Sequence, residues 1–461
     1  MPTSELHIVI LAAGKGTRMR SSLPKVMHEV AGTPLLGHVL DTAISLQPAA
    51  IHVVVGHGRE QITERFSHAS INWVEQTEQL GTGHAVQQAL PGVPDDADVL
   101  VLYGDVPLIS VATLTPLIEA CDSFPLALLT ASLTNPSGLG RITRDDSNEV
   151  TGIVEHKDAS AAQLAINEIN TGFLCAHAKA LRGWLDKIDN NNAQGEYYLT
   201  DIVAAAHAAG EPIAAHQPQN NDEIIGINSR QQLSEVERLY QTHQANHLMA
   251  SGVTLIDPAR IDVRGSVSAG QDSIIDVNCV FVGDVKIGSN VQIGPNCVIR
   301  DSEIGDHCII HPNTVIEQAV LGQRVNAGPF ARLRPGTELE DEVRIGNFVE
   351  TKNAKFAKGS KANHLTYVGD ASVGEKTNIG AGVITCNYDG ANKHQTTIGE
   401  NVFVGSDCQL VAPVVIGDGA TIGAGSTITS DVAPGQLAIS RSRQREIDGW
   451  QRPVKPAPRD K

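Results

Sequence analysis

The chain has 461 residues, 41% of them hydrophobic, which is enough for two or three domains, each with its own core. Lys and Arg number 35 against 52 for Asp and Glu, and a formal charge of -17 repels nucleic acid and anionic membrane surfaces, so an anionic ligand must be met by local cations or backbone amides. The seven cysteines are scattered and never spaced C-x-x-C, which reads as reduced thiols in a cytoplasm, and the apolar run "HIVILAA" is too short and too acidic in its flank to be a targeting or membrane segment.

In the first half, strand-like runs alternate with helical patterns: "HIVIL" then 34–46, "IHVVV" then 57–67, "INWVEQ" then 82–90, and "ADVLVLY" then 110–120. The alternation predicts βαβ units around a parallel sheet, a Rossmann-like α/β layout in which ligands gather beyond the C-terminal ends of the strands. The first such end carries "LAAGKGTRMRSSLPK", Leu11 to Lys25. Its small residues let a phosphate approach the backbone, and Arg18 and Lys25 supply positive charge that the chain as a whole lacks. The run is not G-x-G-x-x-G, since Met19 takes the place of the third glycine, and the Walker pattern is absent. Asp105 ends another apolar run, where a carboxylate would face a ligand and hold a hard cation; its alternative is a cap or turn. Gln76, Gly81, Thr82 and Gly104 stand near the same strand ends. Gly140 in "GLGRI", Glu155 in "GIVEHKDA" and Asn170 in "INEINTGF" offer groups suited to sugar hydroxyls and phosphate, though each taken singly reads as an exposed loop residue.

The run Asn228 to Gly252 predicts a connecting helix, with Leu233, Val236, Tyr240 and Leu248 near helical spacing, Ser229 and Gln232 as a capping box, and Gly252 as the stop. Roughly twenty helical residues make an arm ~30 Å long. The expected organisation is residues 1–230, a linker helix over 231–251, and 252–461. After Gly252 the period becomes six: Ile287, Ile293, Ile299, then Ile304, Ile310, Ile316, and onward to Ile428. Neither a 3.6 nor a 2.0 period explains this. A parallel β-helix does, with the aliphatic residue inward and the glycine-containing segment turning the corner. The register is expected to fail between Ile345 and Val368, around His364, and again where residues 386–397 project as a loop.

"LAAGKGTRM" with Pro24 and Lys25 is similar to the signature of sugar-nucleotide pyrophosphorylases. Together with "FARLRPG", "ETKNA", "HLTYVGD", "NIGAG" and "TCNYDGANK", nearly the whole chain resembles the bacterial bifunctional N-acetylglucosamine-1-phosphate uridylyltransferases and glucosamine-1-phosphate N-acetyltransferases. The resemblance implies a left-handed β-helix, a cytoplasmic homotrimer, and synthesis of UDP-N-acetylglucosamine for the cell wall from glucosamine-1-phosphate, acetyl-CoA and UTP. It places Leu11, Ala12, Ala13, Gly14, Lys25 and Gln76 against the uridine nucleotide, with Gly81, Thr82, Tyr103 and Gly104. Gly140, Glu155, Asn170 and Asn228 are placed on the sugar-nucleotide, and Asp105 and Asn228 become magnesium ligands, while Arg18 and Lys25 neutralise developing charge.

In the solenoid the resemblance gives Arg334, Lys352, Tyr367 and Asn378 to the acetyl acceptor. Ala381, Asn387, Tyr388, Ser406, Ala424 and Arg441 go to acetyl-CoA, and none of these positions departs from the family. His364 becomes the proton acceptor, because a neutral imidazole can take a proton from an attacking amine. The tail from Arg441 to Lys461 is rich in Arg, Lys and Pro and reads as a solvated end beyond Arg445. Two rival readings are a single-activity pyrophosphorylase with a structural β-helix, opposed by "HLTY" and "NYDGANK", and a non-catalytic assembly subunit, opposed by Arg18, Lys25, Asp105 and His364.

Overall fold

The computed structural model describes residues 4–66 and 71–454; residue 67 of the expected 57–67 helix and residues 455–461 of the tail lie outside them. Two compact units meet in sequence between His243 and Gln244. In the first, seven strands lie side by side in the order Ile213–His216, Leu126–Ser132, Glu168–His177, Asp98–Tyr103, Leu6–Leu11, Ala50–Val55 and Ile71–Glu75. The four strands expected from the apolar runs pair in parallel, with Ile10 opposite Val53 and Leu102. In the three inner ones, Leu6–Leu11, Ala50–Val55 and Asp98–Tyr103, side chains are buried on both faces because the helices Leu35–Ser45, Thr82–Ala89 and Val111–Ala120 cover the sheet, while the edge strand Ile71–Glu75 is half-buried to exposed.

The sheet is mixed, not parallel throughout, since Glu168–His177 runs antiparallel to both its neighbours. The reason lies in the connection. After Leu126–Ser132 the chain makes the antiparallel pair Arg141–Arg144 and Val150–Val154 and re-enters beside Ser132, at the edge it had just left. Without a crossover helix to return it to the other edge, the next strand must run backwards. Gly140, Glu155 and Asn170 thereby stay at the C-terminal edge of the parallel strands, where Leu11 and Tyr103 end.

The helix Arg230–Ala250 starts as its sequence indicates: Ser229 Oγ accepts from Gln232 N at 3.2 Å. The return bond differs from a capping box, because Gln232 Oε1 accepts from Asn228 N at 2.8 Å and not from Ser229. Gly252 closes the other end with φ +98°.

The second unit is a parallel β-helix of one eleven-stranded and one fifteen-stranded sheet. Every inward residue named by the six-residue period is buried in one continuous core. The corner chemistry differs in detail from expectation. At most corners the left-handed residue is the third after the inward aliphatic, as in Asn290, Asn296, His307 and Asn313, with φ from +59 to +61°; after Ile299 and Ile316 it is the second, Asp301 and Gln318. The glycine that follows the aliphatic is there for space: a Cβ on Gly346 would fall 2.0 Å from Asn363 O in the next coil. Nor does the register fail around His364. Arg344, Ile345 and Asn347 pair with Lys361, Ala362 and His364, and fully buried Ala362 takes the inward place. A methyl in place of a larger aliphatic had hidden the coil.

Candidate active sites

In the first unit the strand ends converge. Gly104 N donates to Leu11 O at 3.0 Å and Ala12 N to Val54 O at 2.9 Å, so the glycine-rich run leaves the sheet between two neighbouring strands. A cavity of about 510 Å³ opens there, lined by Leu11, Ala12, Ala13, Gly14, Lys25, Gln76, Gly81, Thr82, Tyr103 and Asp105. Lys15, Gln79 and Glu196 also line it, and the sequence reading did not single them out. Gly81 has φ +117°, and a Cβ on it would sit 2.5 Å from Tyr197 O, so no larger residue fits that wall. Arg18 stands exposed on the turn Thr17–Met19, outside the cavity lining.

Lys25 Nζ donates to Asp105 Oδ2 and, at 3.1 Å, to Asn228 Oδ1. Ile227 N donates to the Asp105 backbone oxygen at 2.9 Å, which is what draws Asn228 to this place from so far along the chain. A cation therefore already sits between the two side-chain oxygens. Such a pair suits a hard divalent ion whose other positions are filled by phosphate and water. Among the described residues no three His, Cys, Asp or Glu side chains cluster as a metal cage.

Gly140, Glu155 and Asn170 meet at the same edge. Asn170 N donates to Gly140 O at 2.9 Å, and a Cβ on Gly140 would lie 3.4 Å from Glu155 Oε1. Burial pushes the Glu155 carboxyl above its usual pKa although Thr200 Oγ1 donates to it at 3.1 Å. Burial, with the charges of Asp105 and Glu155, likewise pushes the Tyr103 phenol up.

In the second unit His364 is exposed, and its Nδ1 lies 3.0 Å from Asn347 Oδ1 one coil away. With the amide oxygen accepting, the proton sits on Nδ1 and Nε2 keeps a lone pair. The coil stacking then builds an edge. Gly382 N donates to His364 O at 3.3 Å, Asp407 N to Ala381 O at 2.7 Å, and Gly425 N to Ser406 O at 2.8 Å. His364, Ala381, Ser406 and Ala424 thus stand one per coil, and Arg441 Nη1 reaches Ala424 O at 2.5 Å.

Around the corner a cationic patch forms on the fifteen-stranded sheet. Arg334 N donates to Thr351 O at 2.9 Å, which sets Lys352 beside Arg334, and Arg334 Nη1 pairs with Glu350 at 2.7 Å. Lys393 comes in from the projecting loop against Lys352, and contact with this like charge lowers the Lys352 pKa. Burial opposes the charge on Asp370, but the amides of Asn353 and Asn387 and the cations Lys352 and Lys393 outweigh it and hold its pKa below the usual range. Asn387 is buried, its amide donating to Asp370 and, at 3.4 Å, to Tyr367 Oη, while Tyr388 beside it is 60% exposed. The loop itself is tied off by Asp389, which accepts from Asn392 N at 2.7 Å, His394 Nε2 at 2.7 Å and Ala391 N at 2.8 Å. Asn378 does not join this patch; it lies on the eleven-stranded sheet, in register with Lys361 and Phe403.

Residues 8–138 match the MobA-like NTP transferase domain family, 263–355 the GMPPB C-terminal domain, and 395–430 the bacterial transferase hexapeptide family with its six repeats. The bifunctional protein GlmU of Marinobacter nauticus is 58% identical over 452 residues, covering 98% of this chain and 100% of that protein. The belonging is decided by that end-to-end match. The chain belongs to the bifunctional GlmU family. The GlmU proteins of Pseudomonas entomophila, 58% identical over 98% of this chain and 99% of their own length, and of Idiomarina loihiensis, 57% identical over 97% and 98%, are similar throughout. A crystal structure of UDP-glucose pyrophosphorylase complexed with UDP-glucose is similar over 51% of this chain and 98% of its own, at 17% identity and TM-score 0.44. This GlmU-family chain is therefore an enzyme joining a nucleotidyltransferase domain to a left-handed β-helix of hexapeptide repeats. No helix among its described residues is long and apolar enough to cross a membrane.

Proposed function

We propose that the chain makes UDP-N-acetylglucosamine in two steps, acetylating glucosamine-1-phosphate from acetyl-CoA in residues 252–461 and then transferring the uridylyl group of UTP to N-acetylglucosamine-1-phosphate in residues 1–230. The observation that carries the reading is the seat of Lys25 Nζ between Asp105 and Asn228 at the mouth of a nucleotide-sized cavity, in a chain matched end to end by GlmU proteins.

For uridylyl transfer, the backbone of Leu11 to Gly14 holds the nucleotide, with Gln76, Gly81, Thr82, Tyr103 and Gly104. Gly140, Glu155 and Asn170 orient the sugar. A phosphate oxygen of the sugar phosphate attacks the α-phosphorus of UTP, and the bond to pyrophosphate breaks. Asp105 and Asn228 would hold magnesium, which supplies neutralising charge to the phosphates when bound. Lys25, displaced from that seat, and Arg18, swinging in from its exposed turn, stabilise the charge that passes to the leaving group.

For acetyl transfer, Arg334 and Lys352, joined by Lys393, hold the acceptor phosphate, and Tyr367 and Asn378 orient the sugar. The amine attacks the thioester carbonyl, its proton passes to His364 Nε2, and the carbon–sulfur bond breaks to release the thiolate of coenzyme A, which takes up a proton. Acetyl-CoA runs past Ala381, Ser406, Ala424 and Arg441, with Asn387 and Tyr388 at its flank. A flat coil edge offers no deep cleft for so long a donor, and Asn378 faces away from the cationic patch on a different sheet. Both points favour a homotrimer that completes each site from two chains. The likeness to bifunctional GlmU proteins supports the cytoplasm as the place of action.

One incubation with glucosamine-1-phosphate, acetyl-CoA, UTP and magnesium, following free thiol and pyrophosphate separately, tests the reading. Both products are expected, with pyrophosphate lagging behind thiol. In a second incubation, with N-acetylglucosamine-1-phosphate supplied in place of glucosamine-1-phosphate, pyrophosphate where the first gave neither product would leave a single-activity pyrophosphorylase, and neither product in both would leave a non-catalytic subunit.

A further inference from the structure

Gln76 extends the edge strand Ile71–Glu75 by one more bond, its N donating to Val55 O at 2.8 Å, and its side chain is buried at 4% exposure on the cavity wall. Its Nε2 donates to Gly81 O at 3.1 Å and lies 3.0 Å from His84 Nδ1. The Gly81 carbonyl can only accept, so the nitrogen of the amide must face it. The second amide proton then needs an acceptor, and His84 Nδ1 is in place to be one. That fixes the proton of the neutral imidazole on Nε2, where the Gln88 amide, one helical turn on and exposed, lies 3.1 Å away and can turn its oxygen to it. Both protons of the Gln76 amide are thus spoken for. Its Oε1 has no donor among the described residues and is left as a fixed acceptor on the cavity wall.

We infer that His84 is a positioning residue for base selection: by accepting from Gln76 it locks the amide with its oxygen toward the bound base, and so favours uracil over cytosine. The inference rests on the nucleotide reading of this cavity given above. On the pairing edge of uracil the one donor is N3–H, which an oxygen on the wall satisfies. In cytosine the same ring nitrogen is an acceptor and would face that oxygen lone pair to lone pair. If the amide could turn over, its nitrogen would greet cytosine N3 and oppose uracil. Gly81 O alone resists that turn in the absence of His84, and a site whose buried polar groups are correctly paired discriminates far better than one whose groups can re-pair.

The test is calorimetric titration of UTP and of CTP into the full chain and into His84→Leu, His84→Asn and Gln76→Leu, with UTP kinetics alongside. His84→Leu, which fills the space without an acceptor, is expected to narrow the preference for UTP over CTP about tenfold, the size of one lost hydrogen-bonding partner. The change should appear in the KM for UTP, with kcat at saturating UTP and the KM for the sugar phosphate held. His84→Asn sets an amide oxygen close to where Nδ1 stood and should restore most of the preference. An unchanged preference in His84→Leu, or an Asn variant no better than the Leu one, overturns the positioning role. UTP binding undiminished in Gln76→Leu overturns the nucleotide reading itself and the inference with it. Should His84→Leu not fold, His84→Ala answers the same question.

Discussion

If His364 is the base of acetyl transfer and Asn347 merely aims it, a double-mutant cycle should separate the two roles. His364→Ala removes the proton acceptor and is expected to slow acetyl transfer ~10² to 10⁴-fold, equivalent to about 3–5 kcal/mol of barrier. Asn347→Ala removes one hydrogen bond to an exposed ring, at 3.0 Å. Such a bond contributes about 0.5–1.5 kcal/mol, and its loss predicts a slowing of roughly 2- to 13-fold. Because Asn347 works only through the imidazole, adding Asn347→Ala to His364→Ala should cost nothing further. The assay is thiol release from acetyl-CoA with glucosamine-1-phosphate, with pyrophosphate release from supplied N-acetylglucosamine-1-phosphate as the internal control. A His364→Ala loss below about tenfold would sink the base assignment. A fully additive double mutant would show that Asn347 acts on something other than His364.

Asp105→Ala should abolish uridylyl transfer and leave thiol release nearly intact, since it removes one oxygen of the cation seat in a separate unit; comparable loss of both activities in a folded chain would contradict the two-site assignment. If the chain forms the proposed homotrimer, mixed trimers of a His364→Ala chain and an Asn387→Ala, Tyr388→Ala chain should recover part of the acetyl transfer that each parent lacks, and verified mixed trimers without activity would rule out a site shared between chains. Gly346→Ala should lower the melting temperature of the β-helix, because the new Cβ falls 2.0 Å from Asn363 O and relief costs about 1–3 kcal/mol; an unchanged melting curve would mean the coils can part there. Burial, and then the neighbouring His7, push the His52 imidazole from 6.5 down to about 4. The folded chain stays neutral there while the unfolded one takes up a proton, so stability should be full above pH 6.5 and fall by about 3 kcal/mol between 6.5 and 4. Melting of the first unit against pH checks this, and a His52→Phe chain with the same pH dependence would refute it.

The sequence made some features plain because their cause is local. Ile287, Ile293 and Ile299 announce the coil because each turns inward in its own hexad, and Leu11 to Lys25 announces a loop that lines a cavity at a strand end because its small residues and cations are contiguous. Asn347, Asp370 and Lys393 stayed hidden because their partners belong to other coils: Asn347 meets His364, and Asp370 meets Asn387, across 17 residues. That interval is itself a signal, since three hexads return the chain almost to the same face, and searching at 17 or 18 residues from His364 would have found Asn347. Glu168–His177 was missed for another reason. Nothing within a strand states its direction; the missing crossover helix before it does.

Each coil climbs by one strand spacing, ~4.8 Å, so the edge from His364 through Ala381 and Ser406 to Ala424 rises three steps, roughly 14 Å. Such an edge is a ruler graduated in coils. Its length is counted off by the number of repeats in the gene, not tuned by packing, and it can change only in whole divisions. Deleting one complete coil between His364 and Ala424 would shorten the ruler by a division while every remaining strand still found a partner. The protein would fold, and a donor held at its far end would deliver its reactive group to the wrong coil, one step past the imidazole.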